Sequence, residues 1–327
     1  MPPSEVPETP DERLLLGADV GGTATRVAAA TVAGEVLAVA AGPAGNPIGV
    51  GLEVSAQRIN AAATQCLQQI GPDAAGRVAA MVIGLAGGSG ADAAYLSKTT
   101  PLDVAVRPRL VSDLSVAFSS ATPDTEGYVL VAGTGAVAGH IVDGELLERR
   151  DGWGWLLGDE GSGFWLGREA VRSTLTRLQS RGEWGELAEA VVQIAGTRDP
   201  VALVQLCYAQ PPTWLASFGR LVTEHAGDPA ALDIAERAAV SLHRTLVDLE
   251  VSAGLPVVLA GSVATRPGPV RDALARRLAE SLDNAVLSAE SGLVGALWLA
   301  CGEAGAAHPD VHDRLASSLG RTSGTVV

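Results

Sequence analysis

The chain has 327 residues, enough for about two domains at roughly 150 residues each, and its 47% hydrophobic and 18% charged residues suit a sizeable buried core and exclude intrinsic disorder for most of it. With 23 basic against 37 acidic residues and a net charge of −14, it carries too little positive charge to neutralise a row of phosphates, which speaks against nucleic acid as a partner. Lys98 is the only lysine, and no GxxxxGK(S/T) run occurs, so a P-loop NTPase is excluded.

Residues 1–12 are polar and proline-rich, without a basic stretch leading into an apolar one, and read as a tail rather than a secretory signal. The run LLLGADV at 14–20 predicts a buried strand, Gly21-Gly22 a turn, 25–32 a second strand, Gly34-Glu35 another turn and 36–39 a third strand. A helix is expected at 52–70 on the spacing of Val54, Ile59, Ala62, Ala63, Cys66, Leu67 and Ile70, with strands at 78–85 and 109–111. The same order of strand, glycine turn and strand then recurs: 128–132, Gly133 to Gly135, 137–142, a turn at Asp143-Gly144-Glu145, and a short strand at 146–147. A repeated meander followed by helices points to two similar α/β domains. Helices are expected at 167–179, 186–194, 230–251, 269–282 and 293–300, with a buried strand at 256–260. The end from about 302 is polar and small-residue-rich and is expected to fray. Cys66, Cys207 and Cys301 stand far apart, with neither zinc nor disulfide spacing, as in a protein of a reducing compartment. No apolar run reaches the roughly 18 residues of a membrane span.

Five segments carry candidate chemistry. In Asp19-Val20-Gly21-Gly22-Thr23-Ala24-Thr25-Arg26, glycines between strands bare backbone N–H groups to an anion, Thr23 and Thr25 add hydroxyls, Arg26 adds charge, and Asp19 is placed to hold Mg²⁺; a plain hairpin turn is the alternative. Gly133-Thr134-Gly135 repeats that pattern, and Gly261-Ser262 ends a buried strand where a nucleoside can lie against bare backbone, or where an ordinary strand-to-helix turn is made. Asp113 follows a strand and opens a helical stretch, as an N-cap, a general base, or both. The densest run is Asp151-Gly152-Trp153-Gly154-Trp155-Leu156-Leu157-Gly158-Asp159-Glu160, whose carboxylates and indoles suit a sugar ring. His140 lies on a strand of the repeat and is a candidate to face the site; the other histidines have no metal-ligand spacing.

Together these segments resemble the actin, heat-shock chaperone and sugar-kinase superfamily: DVGGTATR its first phosphate motif, VLVAGTGAVAG its second, VVLAGSV its adenosine motif, and ESGLVGA its second connecting helix. DGWGWLLGDEGSGFWLGREA is similar to the signature of the N-acetylglucosamine kinases of the BadF/BadG ATPase group, nearest to glucosamine kinases of actinobacterial type. The resemblance implies two actin-like (ribonuclease H-like) domains facing a central cleft, at 13–112 completed by a helix at 291–302, and at 113–290, with tails at 1–12 and 303–327. It implies ATP and Mg²⁺ as cofactors, a cytoplasmic enzyme, and an amino sugar as partner, and is compatible with a homodimer. Asp113 falls on the catalytic aspartate, Asn46, Thr134, Trp153, Gly154 and Asp159 on sugar contacts, and the three glycine motifs on the nucleotide contacts. Asp151 stands where these kinases usually have glycine, Ala136 where they have serine, and Ser262 where they have a second glycine. Asp151 joins the sugar-binding candidates, since a carboxylate near C2 favours the protonated amine of glucosamine, and Glu160 joins them as a further carboxylate of the same run. The expected reaction is phosphorylation of the 6-hydroxyl of D-glucosamine. N-acetylglucosamine or glucose is the alternative substrate, and a sugar-sensing protein or an ATPase acting on protein partners is the alternative class.

Overall fold

The computed structural model of the protein describes residues 12–86, 104–180 and 184–323. The chain divides into two units, Met1–Thr125 with Glu290–Val327, and Glu126–Ala289. In the first, the expected meander forms β1 (Leu14–Val20), β2 (Ala24–Thr31) and β3 (Val36–Pro43), followed by α1 (Pro47–Val50), α2 (Leu52–Gln68), β4 (Val78–Leu85), β5 (Arg109–Ser112) and α3 (Asp113–Ser119). β1, β2 and β3 pair antiparallel, whereas β4 joins β1 and β5 joins β4 in parallel, as the α2 crossover between β3 and β4 requires. The sheet order is β3-β2-β1-β4-β5.

The second unit builds the same sheet again. Its elements are β6 (Glu126–Ala132), β7 (Ala136–Val142), β8 (Glu145–Asp151), α4 (Gly163–Gln179), α5 (Glu186–Ala195), α6 (Pro200–Ala209), a 3₁₀ segment (Pro212–Phe218), α7 (Gly219–Glu224), α8 (Pro229–Val247), β9 (Val257–Ala260), α9 (Ser262–Thr265), α10 (Pro269–Ser281) and β10 (Val286–Ser288). The order β10-β9-β6-β7-β8, with an antiparallel β6-β7-β8 ribbon and parallel β9 and β10, matches the first sheet strand for strand. The chain then returns to the first unit as α11 (Gly292–Glu303) and α12 (Pro309–Ser323).

Strand alternation decides the layers. Leu14 and Leu16 of β1 pack with Ile59, Ala63 and Cys66 of α2, while Leu15 between them packs on the other face with Leu293, Ala296 and Leu297 of α11. Some helix contacts are so close that only glycine fits: a Cβ on Gly295 would overlap the Val116 carbonyl oxygen on α3, and one on Gly167 of α4 would overlap that of Leu215. Gly295→Ala should therefore lower stability by about 1–3 kcal/mol through overpacking. Gly302→Ala, on the same helix with nothing within 4 Å of the added Cβ, should stabilise through helix propensity by up to about 1 kcal/mol. Urea titration of the two variants checks the pair; equal midpoints would show that α3 and α11 slide apart freely.

Several segments differ from the sequence expectation. Residues 303–323 do not fray: Val311, Leu315 and Leu319 of α12 are buried in the core of the first unit, and its Ser318 hydroxyl accepts from the β3 edge at Val36 N, 2.9 Å away. The division between units falls after Thr125 rather than at 112, because α3 packs within the first unit through Val116. α4 begins at Gly163, four residues before the expected start, because buried Ser162 caps it by accepting from Trp165 N. β8 runs to Asp151, and α6 and α7 form in a stretch with no predicted element. The expected tail at 1–11 and the last residues, 324–327, lie outside the described residues. Among the described residues, no helix is long and apolar enough to cross a membrane, and the three cysteines are unpaired.

Candidate active site

In each unit the candidate residues gather at the carboxyl ends of the parallel strands, where open α/β sheets bind ligands. In the first unit, Asp19 pairs across the sheet with Gly84, and Leu85 with Ser112, so Asp19 and Asp113 share one edge. Asp19 is held by Arg26, its antiparallel partner, at 2.5 Å. It also lies against the start of α11, where a Cβ on Gly292 would come within 2.8 Å of the Asp19 carboxylate; a helix N-terminus favours a carboxylate there. Gly21 closes the turn, taking the Ala24 carbonyl at 3.0 Å and accepting from the amides of Gly45 and Asn46. Asn46 caps α1 by accepting from Ile48 N at 2.9 Å, so the Ala-Gly-Asn-Pro turn sits directly on the first glycine turn.

Asp113 is not the helix cap. Ser112 caps α3 by accepting from Leu114 N at 3.2 Å, and its hydroxyl donates to the Asp113 carboxylate at 3.3 Å. Burial pushes the Asp113 carboxyl up to about 6, and the nearby charge of Asp19 adds to the rise. A carboxylate with that value is ionised at neutral pH yet basic enough to take a proton from an alcohol in flight.

In the second unit, Gly133-Thr134-Gly135 links β6 and β7, with Gly133 N bonded to the Gly135 carbonyl at 2.9 Å. Gly261, at φ 82°, packs so tightly on the Ala132–Gly133 peptide that a Cβ would overlap it, bringing Ser262 beside this turn. Gly163 N donates to the Gly133 carbonyl at 2.7 Å. Gly133, Thr134, Gly163 and Ser262 line a cavity of about 370 Å³, together with Arg220, Thr223, Glu224, Arg266 and Arg271. None of those five stood out in the sequence. The visible signal was Gly163 and Gly167, four residues apart, which fit α4 against Leu215 and Gly219 and so place α7 on the cavity.

The loop after β8 is tied from within. Asp151, at φ 61°, accepts from Asp159 N at 2.9 Å and Glu160 N at 3.2 Å, and lies 3.5 Å from Trp153 N. Asp159, at φ 59°, accepts from Ala136 N at 3.2 Å and packs on Gly135, where a Cβ would meet its Oδ2 at 2.8 Å. Burial raises the Asp159 carboxyl, with the Asp151 charge adding to the rise. Glu160 is exposed and lies 3.8 Å from Arg168. Trp153 is 64% exposed, with the Arg149 guanidinium 4.9 Å over its ring, and Gly154 stands at φ 83°.

Three expectations change at this level. Thr25 is fully buried and donates to the Pro43 carbonyl at 2.9 Å, so its hydroxyl serves the fold, whereas Thr23 beside it is exposed. Asp151 spends its oxygens on backbone amides rather than offering them to a substrate amine. His140 stacks on Tyr128, its cross-strand partner, with centroids 4.5 Å apart, and lies 3.4 Å from Glu126.

In each unit the arrangement suits phosphate. A Cβ on Gly22 or Gly133 would meet nothing within 4 Å, so both turns present bare backbone. The amides of Gly22, Thr23, Thr134 and Gly135 donate to no protein group among the described residues. It also suits Mg²⁺, which keeps several waters and takes one or two carboxylates: Asp19 and Asp113 stand close enough for the charge of one to raise the proton affinity of the other, and a divalent cation relieves that repulsion. Among the described residues no cluster of three or more metal-ligating side chains occurs.

The profile of the BadF/BadG/BcrA/BcrD ATPase family matches residues 16–300. An N-acetyl-D-glucosamine kinase of Dictyostelium discoideum is 25% identical over 295 residues, covering 84% of this chain and 92% of its own. A glucosamine kinase of Vibrio cholerae is 25% identical over 287 residues, covering 84% of this chain and 95% of its own. Among solved structures, a provisionally named N-acetylglucosamine kinase of Chromobacterium violaceum superposes with a TM-score of 0.74 at 29% identity, over 89% of this chain and 99% of its own.

Proposed function

The chain belongs to the BadF/BadG/BcrA/BcrD ATPase family, and on that premise we propose that it is an ATP-dependent hexosamine kinase that transfers the γ-phosphoryl group to the 6-hydroxyl of D-glucosamine, giving glucosamine 6-phosphate and ADP. The observation that carries the reading is Asp113: a strand-end carboxylate, released from capping by Ser112 and lifted by burial to about 6. It orients the sugar hydroxyl and accepts its proton as the phosphoryl group arrives. In the second unit, Gly133, Thr134 and Ser262 line the cavity that seats the nucleotide, with Gly135 and Gly261 shaping the turns beside it, and Asp159, Trp153 and Gly154 hold the sugar ring. In the first unit, Asn46 is the sugar-binding residue, and Gly21, Gly22 and Thr23 form the phosphate-binding turn. Asp19 would hold Mg²⁺, which when bound neutralises charge on the β- and γ-phosphoryl oxygens. The exposed Glu160 carboxylate favours the cationic amine of glucosamine.

A second reading, N-acetylglucosamine, is favoured by the exposed Leu156 and Leu157 beside Trp153, which suit an acetyl methyl, and by the engagement of Asp151 with backbone. Sugar-dependent ADP release measured with glucosamine, N-acetylglucosamine and glucose separates the readings. The fastest turnover is expected with glucosamine. ADP release indifferent to sugar overturns the kinase reading, and sugar binding without turnover points to a sensor.

Asp19→Ala should lower turnover at limiting Mg²⁺ about 10- to 100-fold, in the range seen when metal sites are disturbed, while sparing sugar affinity. Calorimetry with glucosamine, beside kinetics against Mg²⁺, checks this. Loss of sugar binding with unchanged metal dependence sinks it.

A further inference from the structure

The cavity of the second unit has an unusual charge pattern for a site that takes a polyanion. Its charged lining comprises Arg220, Arg266, Arg271 and a single carboxylate, Glu224. A carboxylate beside triphosphate oxygens is repelled, so it belongs where the ligand is neutral and carries donors. The backbone places it there. Gly219, the first residue of α7, is pressed against Gly163, where its Cβ would come within 3.3 Å of the carbonyl carbon, and Gly163 is bonded to the Gly133 carbonyl of the phosphate-type turn. Glu224 lies five residues further along α7, which at 1.5 Å per residue sets it roughly 7–8 Å along the helix from Gly219. At the same end, Thr223 closes against Gly268, where a Cβ would stand 2.8 Å from its methyl.

Glu224 is also free to bind. Its one ion pair among the described residues, with Arg220, is 3.9 Å long, and both side chains are at least half exposed. Among the described residues its carboxylate accepts no hydrogen bond. An ionised carboxylate only accepts, and its two oxygens match two neighbouring hydroxyl donors. Within a nucleoside triphosphate, the neutral group with adjacent hydroxyls is the ribose. Arg266 and Arg271 offer planar guanidinium faces for a base beyond it.

We propose that Glu224 reads the ribose of the phosphoryl donor, its two carboxylate oxygens accepting the 2′- and 3′-hydroxyls, so that the enzyme selects ribonucleoside triphosphates over their 2′-deoxy forms. This rests on the cavity being the nucleotide site of the proposed kinase.

The test uses the full chain and its Glu224→Gln variant, each with ATP, 2′-deoxy-ATP and GTP at saturating glucosamine, with nucleotide binding also measured by calorimetry without sugar. A hydrogen bond to a charged group, worth about 1.5–3 kcal/mol, corresponds to about 10- to 150-fold in kcat/KM. The wild type should prefer ATP over 2′-deoxy-ATP within that range. Glu224→Gln should fall on ATP far more than on 2′-deoxy-ATP, bringing the two toward parity, with the KM for glucosamine unchanged. Parity in the wild type, or an undiminished preference in the variant, overturns the proposal. A variant that changes the ratio of ATP to GTP and leaves the deoxy ratio alone shows that the acid reads the base, which overturns it too. If no nucleotide binds although glucosamine does, the nucleotide assignment of the cavity falls and takes this proposal with it.

Discussion

Asp113→Asn is expected to lower kcat by about 10²- to 10⁴-fold and, at the same time, to raise the melting temperature at pH 7. The first effect is the loss of the proton acceptor. The second follows from linkage. Burial lifts the Asp113 carboxyl from its ordinary 3.8 to about 6, so the native state binds this proton more tightly than the unfolded chain does. The stability this provides is complete below about pH 4 and is lost as pH rises through about 6. At pH 7 the fold carries a buried charge at a cost of up to roughly 3 kcal/mol, which neutral asparagine removes. Melting curves of both proteins across pH 3.5–8 should converge at the acid end and separate between pH 4 and 6. In the wild type, kcat/KM should fall on the acid side with a midpoint near 6. Near wild-type turnover in the variant would reduce Asp113 to a structural residue, and parallel melting curves would place its ionisation elsewhere.

Asp151→Ala is expected to lower kcat/KM for glucosamine and N-acetylglucosamine together, by about 100-fold or more, leaving their ratio unchanged. Bonds to Asp159 N and Glu160 N are charge-assisted, each worth about 1.5–3 kcal/mol. Without them the turn that aims Asp159 at Gly135 loses its tie to the end of β8, keeping the bond from Ala136 N to Asp159 and its internal backbone bonds. Asp151→Gly tolerates the positive φ but loses the same anchors, so it should behave alike, and Asp151→Asn, which keeps one acceptor oxygen, should fall between. Steady-state kinetics with both sugars decides the matter. A variant that loses glucosamine and spares N-acetylglucosamine would return Asp151 to the role of selector.

That second prediction reverses what the linear sequence implies, and the reason is physical. The sequence shows a carboxylate where relatives of its resemblance carry glycine, but not that the chain doubles back to set residues 159 and 160 on it. The meanders, by contrast, were legible, because glycine turns between short apolar runs define strands locally and the second copy repeats the first. Asp113 is legible as a strand-end acid, whereas Ser112 as the true cap shows only in the folded backbone. Thr25 could have been read correctly: it shares strand parity with buried Val27, two residues on, and so points inward, while Arg26 between them points out. α12 had only Val311, Leu315 and Leu319 to announce it. Its hydrogen-bond partners at Ala33, Val36 and Ser119 lie far earlier in the chain, and no local window contains them. The acid and arginines of the cavity escaped for a related reason, since α7 reaches its place through a glycine-to-glycine contact that exists only in three dimensions.

Because α11 and α12 belong to the first unit but follow the second in the chain, the order of synthesis and the order of assembly differ. When the ribosome has made residue 289, the second unit has all of its strands and helices. The first still lacks the layer that covers Leu15, Ala28 and Val82. That apolar face waits, uncovered, through the translation of more than a hundred residues, a delay of roughly ten seconds or more at ordinary elongation rates. The last-made segment thus governs when the molecule ceases to be sticky, and a nascent chain stalled before residue 292 is a natural client for a chaperone that shields bare sheet.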